Sequence, residues 1–149
     1  LDVGSILTGE GQSFLKNYIY LRSDEAMATR EFIEGLNPNS ARIIVGDFNA
    51  PSNSSVYQNA WGDLQNCFDT AGWGYGYTSP VKKHRLWLDN TPWLKIDHIL
   101  AGNRWGISES SVGQSNGSDH HLVSAELILK KMTDSDQNPY AQFLSSDNQ

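Results

Sequence analysis

The stretch RIIVGDFNAP, residues 42–51, joins a short apolar run to an acid and an amide. An uninterrupted apolar run of this length is typical of a strand that is covered on both faces. Side chains two apart in a strand point the same way, so Asp47 and Asn49 share one pocket if the strand continues through Phe48. The stretch therefore predicts a buried strand that delivers two polar side chains to a site. The alternative is that both residues cap a turn after the strand.

A second stretch, WLKIDHILA at residues 93–101, also places polar residues in a predicted strand. Alternation puts His98 on the same face as its apolar neighbours, while Asp97 points to the opposite face. A histidine on an apolar face is more often a core residue than a catalytic one. We therefore interpret His98 as structural and Asp97 as a candidate site residue.

A third stretch, GSDHHLV, contains Asp119, His120 and His121 just before a predicted final strand over residues 121–129. Paired histidines suggest a transition-metal site, but neighbouring strand residues face opposite ways, so one histidine per site is more natural. We assign His120 to the candidate site and treat His121 as structural.

Sequence periodicity predicts two helices. The first begins at the N-cap Ser23, carries apolar residues at positions 28, 32 and 36, and ends before Pro38. The second begins at about Ser54 and carries an apolar stripe over the following turns. Before the first helix, FLKNYIYL at residues 14–21 has the alternation and the aromatic content of a short strand or a packed loop.

The order helix, strand, helix, strand, strand predicts one α/β layer without an internal linker. AGWGYGYTSP, residues 71–80, predicts a shaped loop because turn-forming glycines recur at short spacing. Trp87 and Trp93 follow it, either as core residues, which is the simpler interpretation, or as an exposed rim for an apolar substrate or a membrane surface. The polar residues 131–149 predict a weakly ordered tail, which leaves residues 1–130 as one domain.

Charge and composition exclude some functions. The chain has 149 residues and a formal net charge of −6. A broad basic face that tracks duplex nucleic acid is therefore not expected, although a bound metal ion can reverse the local sign at an acidic site. The single cysteine, Cys67, excludes an internal disulfide and a thiolate cluster, and we expect it to be buried filler. No apolar run approaches the length of a membrane span, and both extracytoplasmic and cytoplasmic bacterial locations stay open.

The motifs GDFN at residues 46–49, IDHI at 96–99 and SDH at 118–120 follow a helix that carries Arg30. In this order and spacing the chain resembles the endonuclease/exonuclease/phosphatase superfamily of DNase I-like enzymes. The resemblance covers residues 23–129 and implies the C-terminal half of the domain, so that the N-terminal half, with its metal-binding glutamate, is not placed in residues 1–22. The implied fold class is α/β (α+β): a mixed β-sheet with helices on one face, which is half of a four-layer α/β/β/α sandwich.

The resemblance also implies a role for each motif residue. Asp47 would orient or deprotonate the attacking water and bind metal, and Asn49 would hold the phosphate or a metal ligand. Asp119 would help to bind a divalent cation, Mg²⁺ or Mn²⁺. His120 would contact the phosphoryl oxygen, while Asp97 would accept its other ring N–H and fix its tautomer. Hard oxygen ligands suit either cation.

The implied function is a metal-dependent phosphoester hydrolase, a phosphatase or phosphodiesterase. The acidic charge and the tryptophans favour a small or lipid-linked phosphorylated substrate over nucleic acid. The loop at residues 71–80 additionally resembles that of membrane-tethered bacterial members. The alternatives are a DNase I-like nuclease and a catalytically incomplete fragment that serves as a binding or assembly module. A lone half would expose an apolar sheet face, so we expect it to pair with the missing half or to self-associate.

Overall fold

The computed structural model describes residues 9–36, 40–81 and 92–131. Within them the chain forms three helices and five strands. In chain order these are α1 (Gly9–Gly35), β1 (Ile43–Asp47), α2 (Ser55–Trp61), β2 (Gln65–Asn66), α3 (Cys67–Ala71), β3 (Asp97–Ala101), β4 (Trp105–Val112) and β5 (Val123–Leu129). The predicted α/β class is confirmed.

The described strands form two antiparallel groups. One is a three-stranded sheet in the order β1-β3-β2, and the other is the β4-β5 pair. Between β1 and β3 the register pairs Val45 with Ile99 and Asp47 with Asp97. Because directly opposed residues lie on one face, both aspartates share the face that also carries Val45.

The core lies between α1, α2 and one face of the three-stranded sheet. Buried residues from α2, from β3 and from the segment between β1 and α2 form its centre: Ala50, Tyr57, Ala60, Trp61 and Leu100. The ring of Phe48 meets that of Trp61 edge to face, with centroids 5.5 Å apart. Aromatic pairs in this arrangement contribute about 1 kcal/mol beyond the area that they bury. The segment that follows β1 is therefore anchored in the core directly beside Asp47.

An ion pair ties α1 to the end of α2. The guanidinium of Arg30 donates to both carboxylate oxygens of Asp63, at 2.8 and 2.6 Å, and to the carbonyl oxygen of Ala60 at 3.2 Å. A bidentate pair of this kind fixes orientation as well as separation. It holds the inward face of α1, which includes Ala26 and Ile33, against the core.

The opposite face of the sheet is exposed at its apolar positions. Val45 is 67% exposed and Ile43 is 42% exposed. Their side chains alternate with Ile44, which packs against the helices. The face that carries the two aspartates is therefore partly apolar and open.

The predicted start of the first helix is wrong. α1 is a single helix of 27 residues that begins at Gly9, so the FLKNYIYL segment is helical and is neither a strand nor a loop. Side-chain bonds at helical spacing connect the two parts: Arg22 binds both Tyr18 and Glu25. These one-turn contacts override the strand preference of the aromatic residues.

The apolar residues at positions 28, 32 and 36, whose spacing predicted the helix, do not face the core. Phe32 is 71% exposed, and Ala28 and Leu36 are exposed as well. Ala26, Arg30 and Ile33 face the core instead, because Arg30 must reach Asp63. Four-residue spacing identifies a helix but not which of its faces is covered.

The start of the second helix is confirmed. The hydroxyl of Ser54 accepts a hydrogen bond from the backbone N–H of Tyr57, as an N-cap does. Cys67 is buried, as expected of a filler residue.

The predicted tail lies outside the described residues beyond Lys131. None of the described helices has the length and apolarity needed to cross a membrane.

Candidate active site

Asp47 and Asp97 face each other across β1 and β3. Asp47 ends one strand and Asp97 begins the other, so both lie at the same edge of the sheet. Two carboxylates in directly opposed positions repel each other unless a cation or a proton donor lies between them. The sheet therefore builds an electronegative edge that favours a positively charged partner.

His120 supplies a proton donor to these carboxylates. Its Nδ1 donates to Oδ2 of Asp97 at 2.8 Å, which leaves Nε2 as the acceptor of the neutral ring, 3.2 Å from the hydroxyl of Ser79. Burial alone would lower the pKa of His120, but the hydrogen bond and charge of Asp97 outweigh it. The carboxylates of Asp47 and Asp119 add to this effect, and the pKa of His120 is raised. Asp97 thus fixes the tautomer of the neutral ring, and it also stabilises the protonated ring relative to a free imidazole.

Asn49 leaves the strand conformation. Its φ is 50°, a left-handed value that asparagine tolerates, and its backbone N–H donates to Oδ1 of Asp47 at 2.8 Å. β1 ends at Asp47 and does not continue through Phe48, so the strand geometry expected for this pair is wrong. The turn-capping alternative applies to Asp47, which also faces the site. The side chains of Asp47 and Asn49 are both exposed.

The loop beside His120 is fixed by main-chain hydrogen bonds. The backbone N–H of Thr78 donates to the carbonyl of Leu94 at 2.7 Å, and that of His121 donates to the carbonyl of Thr78 at 2.8 Å. These bonds place Ser79 against the imidazole of His120. The glycine spacing of residues 71–80 predicted only a loop, and Ser79 was not among the predicted site residues.

Three side chains could hold a metal ion together. One ligand atom from each of Asp47, Asp97 and His120 lies within 4.8 Å of the others. Two carboxylates and one imidazole suit a hard divalent cation such as Mg²⁺ or Mn²⁺. Asp119, which the sequence predicted as a metal ligand, is outside this group, although its charge acts on His120 and its carbonyl accepts from the N–H of Val81.

His98 is a core residue, as predicted, and is 2% exposed. Its Nε2 donates to the carbonyl of Ala50 at 2.9 Å, so Nδ1 accepts from the side-chain amide of Asn66 at 3.0 Å. The same amide also donates to the hydroxyl of Tyr57. Burial lowers the pKa of His98 and keeps the ring neutral. His98 therefore holds the segment that follows Asn49 in place.

Exposed aromatic residues surround the loop that leads to the site. Trp93 is 63% exposed, so the core interpretation is wrong for this residue, whereas Trp87 lies outside the described residues. Trp73 and Tyr75 are more exposed still. The alternative of an exposed rim stays a prediction for Trp93.

Comparison with known proteins identifies the family. The model of the Endonuclease/Exonuclease/phosphatase family matches residues 11–120. The chain belongs to this family. A search of curated proteins finds no match.

Solved structures share the fold. A functionally unknown conserved protein from Enterococcus faecalis is 20% identical with a TM-score of 0.61, over 75% of this chain and 46% of that one. A mannosyl-6-phosphatase from Bacteroides thetaiotaomicron is 20% identical with a TM-score of 0.58, over 72% and 46%. An endonuclease/exonuclease/phosphatase from Bacteroides vulgatus is 21% identical with a TM-score of 0.58, over 73% and 44%. The chain thus spans less than half the length of these proteins.

Proposed function

We propose that this chain contributes the catalytic edge of a divalent-metal-dependent phosphoester hydrolase that acts on a small or lipid-linked phosphorylated substrate. The observation that carries the proposal is the Asp97–His120 pair at 2.8 Å with Asp47 within reach of both. Membership of the family and the likeness to a mannosyl-6-phosphatase support a phosphatase. The net charge of −6 disfavours a long polyanionic substrate.

Each residue has a role in this proposal. His120, held by Asp97 and inclined to the charged form, donates to a phosphoryl oxygen and stabilises the charge that grows on it. Asp47 accepts a proton from the attacking water, and the amide of Asn49 binds a second phosphate oxygen. Asp47 would hold Mg²⁺ or Mn²⁺ together with Asp119, as the motifs predict, rather than with Asp97 and His120, because those two side chains bind each other. When bound, the ion would supply charge neutralisation at the phosphoryl group.

The open face of the sheet needs a partner in the same proposal. Val45 and Ile43 lie on it beside the two aspartates. Covering them removes apolar surface from water, which is favourable. The partner is the remainder of a family domain or a second copy of this chain. The same exposed face favours a second candidate function, a binding or assembly module without activity of its own.

The experiment measures hydrolysis by the purified chain with Mg²⁺, with Mn²⁺ and with a chelator. The substrates are aldohexose phosphates, bis-p-nitrophenyl phosphate and supercoiled plasmid. We expect metal-dependent phosphate release that His120→Gln abolishes and His121→Gln, the matched neighbour, leaves intact. Plasmid nicking with no release from small esters would indicate the nuclease. No turnover of any substrate would indicate the binding module.

A further inference from the structure

The loop between α3 and the catalytic edge presents three aromatic rings to solvent. Trp73 is 96% exposed and Tyr75 is 79% exposed, and the ring of Tyr77 lies flat against that of Tyr75. The two tyrosine rings are 5.3 Å apart between centroids, with their planes at 6°. Large aromatic side chains that stay exposed and ordered against each other are typical of a surface that binds something.

The backbone of the loop keeps these rings turned outward. Gly76 has a φ of +66°, and a Cβ on it would lie 2.4 Å from the ring of Phe68. The main chain therefore packs on Phe68, and the aromatic side chains of the loop cannot occupy that place. Phe68 itself is buried. The outward direction of Trp73 and Tyr75 follows from this packing.

The rings line one side of a cavity of about 540 Å³. The part of the lining that comes from β4 includes three polar residues, Glu109, Ser110 and Ser111, and the apolar Val112. Pockets that combine an apolar aromatic wall with a few polar groups bind small molecules and orient them. The residues of the described chain that line this cavity include a carboxylate but no lysine or arginine. Its lining thus favours a neutral, hydroxyl-rich ligand over a polyanion.

The cavity adjoins the phosphate site through the chain. Tyr77 directly precedes Thr78 and Ser79, and the hydroxyl of Ser79 is 3.2 Å from Nε2 of His120. Two residues of extended chain cover roughly 7 Å. A ligand seated against Tyr77 could therefore carry a phosphate that reaches His120.

We propose that Trp73, Tyr75 and Tyr77, with Glu109, form the subsite that holds the sugar ring of a phosphorylated aldohexose. The weakly positive C–H face of a pyranose packs on the negative face of an aromatic ring. Its hydroxyls donate to the carboxylate of Glu109, a charge-assisted hydrogen bond. The inference rests on the proposed phosphoester hydrolysis and names the substrate class for that site.

The experiment separates the subsite from the catalytic site. Hydrolysis of aldohexose 6-phosphates is compared with that of glycerol phosphate, which has no ring, in Trp73→Ala, Tyr75→Ala and Glu109→Gln. We expect KM for the hexose phosphates to rise roughly tenfold in each aromatic variant, as the loss of one stacking contact predicts. The ratio of kcat/KM for the hexose phosphates to kcat/KM for glycerol phosphate therefore falls in these variants. Tyr20→Ala, an exposed aromatic residue on α1, is the matched control and keeps the original KM for both substrates.

A binding measurement keeps the two proposals distinguishable. Saturation-transfer NMR with unphosphorylated aldohexoses reports on the subsite whether or not the chain hydrolyses esters. Sugar contact that Trp73→Ala abolishes supports the subsite even if no ester is cleaved, in which case the proposed function fails by itself. Hydrolysis that is equal in wild type and Trp73→Ala for every substrate overturns the subsite and leaves the proposed function standing. If Trp73→Ala loses binding to phosphatidylserine vesicles but binds and hydrolyses sugar substrates as the wild type does, the subsite is also overturned. That result would indicate that the aromatic rings bind a membrane surface.

Discussion

The imidazole of His120 donates from Nδ1 to Oδ2 of Asp97 at 2.8 Å, although 23 positions separate the two residues in the chain. Asp97 begins β3, where the hydrogen-bonded ladder to β1 fixes its side chain on the face shared with Asp47. A rigid strand therefore orients the ring from one side, and Ser79 contacts it from the other. This arrangement sets both the tautomer and the charge preference of His120.

Replacing Asp97 with asparagine tests this arrangement directly. Asp97 is the main group that raises the pKa of His120, so in Asp97→Asn that pKa falls. An NMR titration of the imidazole resonances in metal-free protein measures the change. Where the chain is active, kcat falls by about 10²-fold, since the ring loses its orienting acceptor. Asp63 is remote from the site, so in Asp63→Asn the pKa of His120 keeps its wild-type value. An equal shift of this pKa in both variants would contradict the assignment.

The Arg30–Asp63 pair makes stability depend on pH in the acid range. The hydrogen bond from Arg30 lowers the pKa of Asp63, so the folded state favours the ionised carboxylate more than the unfolded state does. The pair therefore stabilises the fold above the unfolded pKa of about 4, and this contribution is lost as pH falls through the lower folded value.

Urea unfolding measures this contribution. Asp63→Asn costs about 1 kcal/mol or less at pH 7, since the carboxylate is largely exposed, and the difference from wild type closes towards pH 3. Glu34→Gln removes the other carboxylate that binds Arg30, one turn away on the same helix, and costs less. A deficit in Asp63→Asn that is the same at pH 7 and pH 3 would exclude an electrostatic origin.

Local signals predicted the elements that depend on neighbouring residues. α2 begins beside Ser54 as predicted, where the hydroxyl of Ser54 caps the first turn. The start of α1 was not predictable in this way, because the aromatic residues before Ser23 favour a strand when they are taken alone. β4 was missed, because WGISESSV has little apolar alternation and its strand state depends on pairing with β5.

The same distinction applies to the site. Asp47, Asp97 and His120 were predicted because each belongs to a short motif, and the structure brings them together. Ser79 was missed because its contact with His120 spans 41 positions, and the glycine spacing that predicts the loop does not show which of its side chains meets the imidazole. The face of α1 that is buried was equally hidden, since it depends on where Asp63 lies.

The buried network around Asn66 predicts a stability effect. The side-chain oxygen of Asn66 accepts from the N–H groups of Phe68 and Asp69, and its amide donates to Tyr57 and His98. Asn66→Ala leaves several of these groups without a partner inside the protein and costs about 2 kcal/mol or more of unfolding free energy. Tyr57→Phe removes one hydroxyl and costs about 1 kcal/mol. Calorimetric unfolding of both variants checks the order, which the reverse ranking would contradict.

The exposed sheet face predicts self-association of this chain. Val45 is 67% exposed on the same face as Asp47 and Asp97, and burying it against a second copy would remove apolar surface from water. Sedimentation velocity at micromolar concentration should show a species larger than the monomer. In Val45→Lys the charge would have to be buried at the contact, so we expect the monomer. Phe32→Lys places the same charge at a residue of similar exposure on α1 and should leave the association unchanged. A wild-type chain that sediments as a uniform monomer, or an equal response of the two variants, would show that this face does not mediate contact between copies.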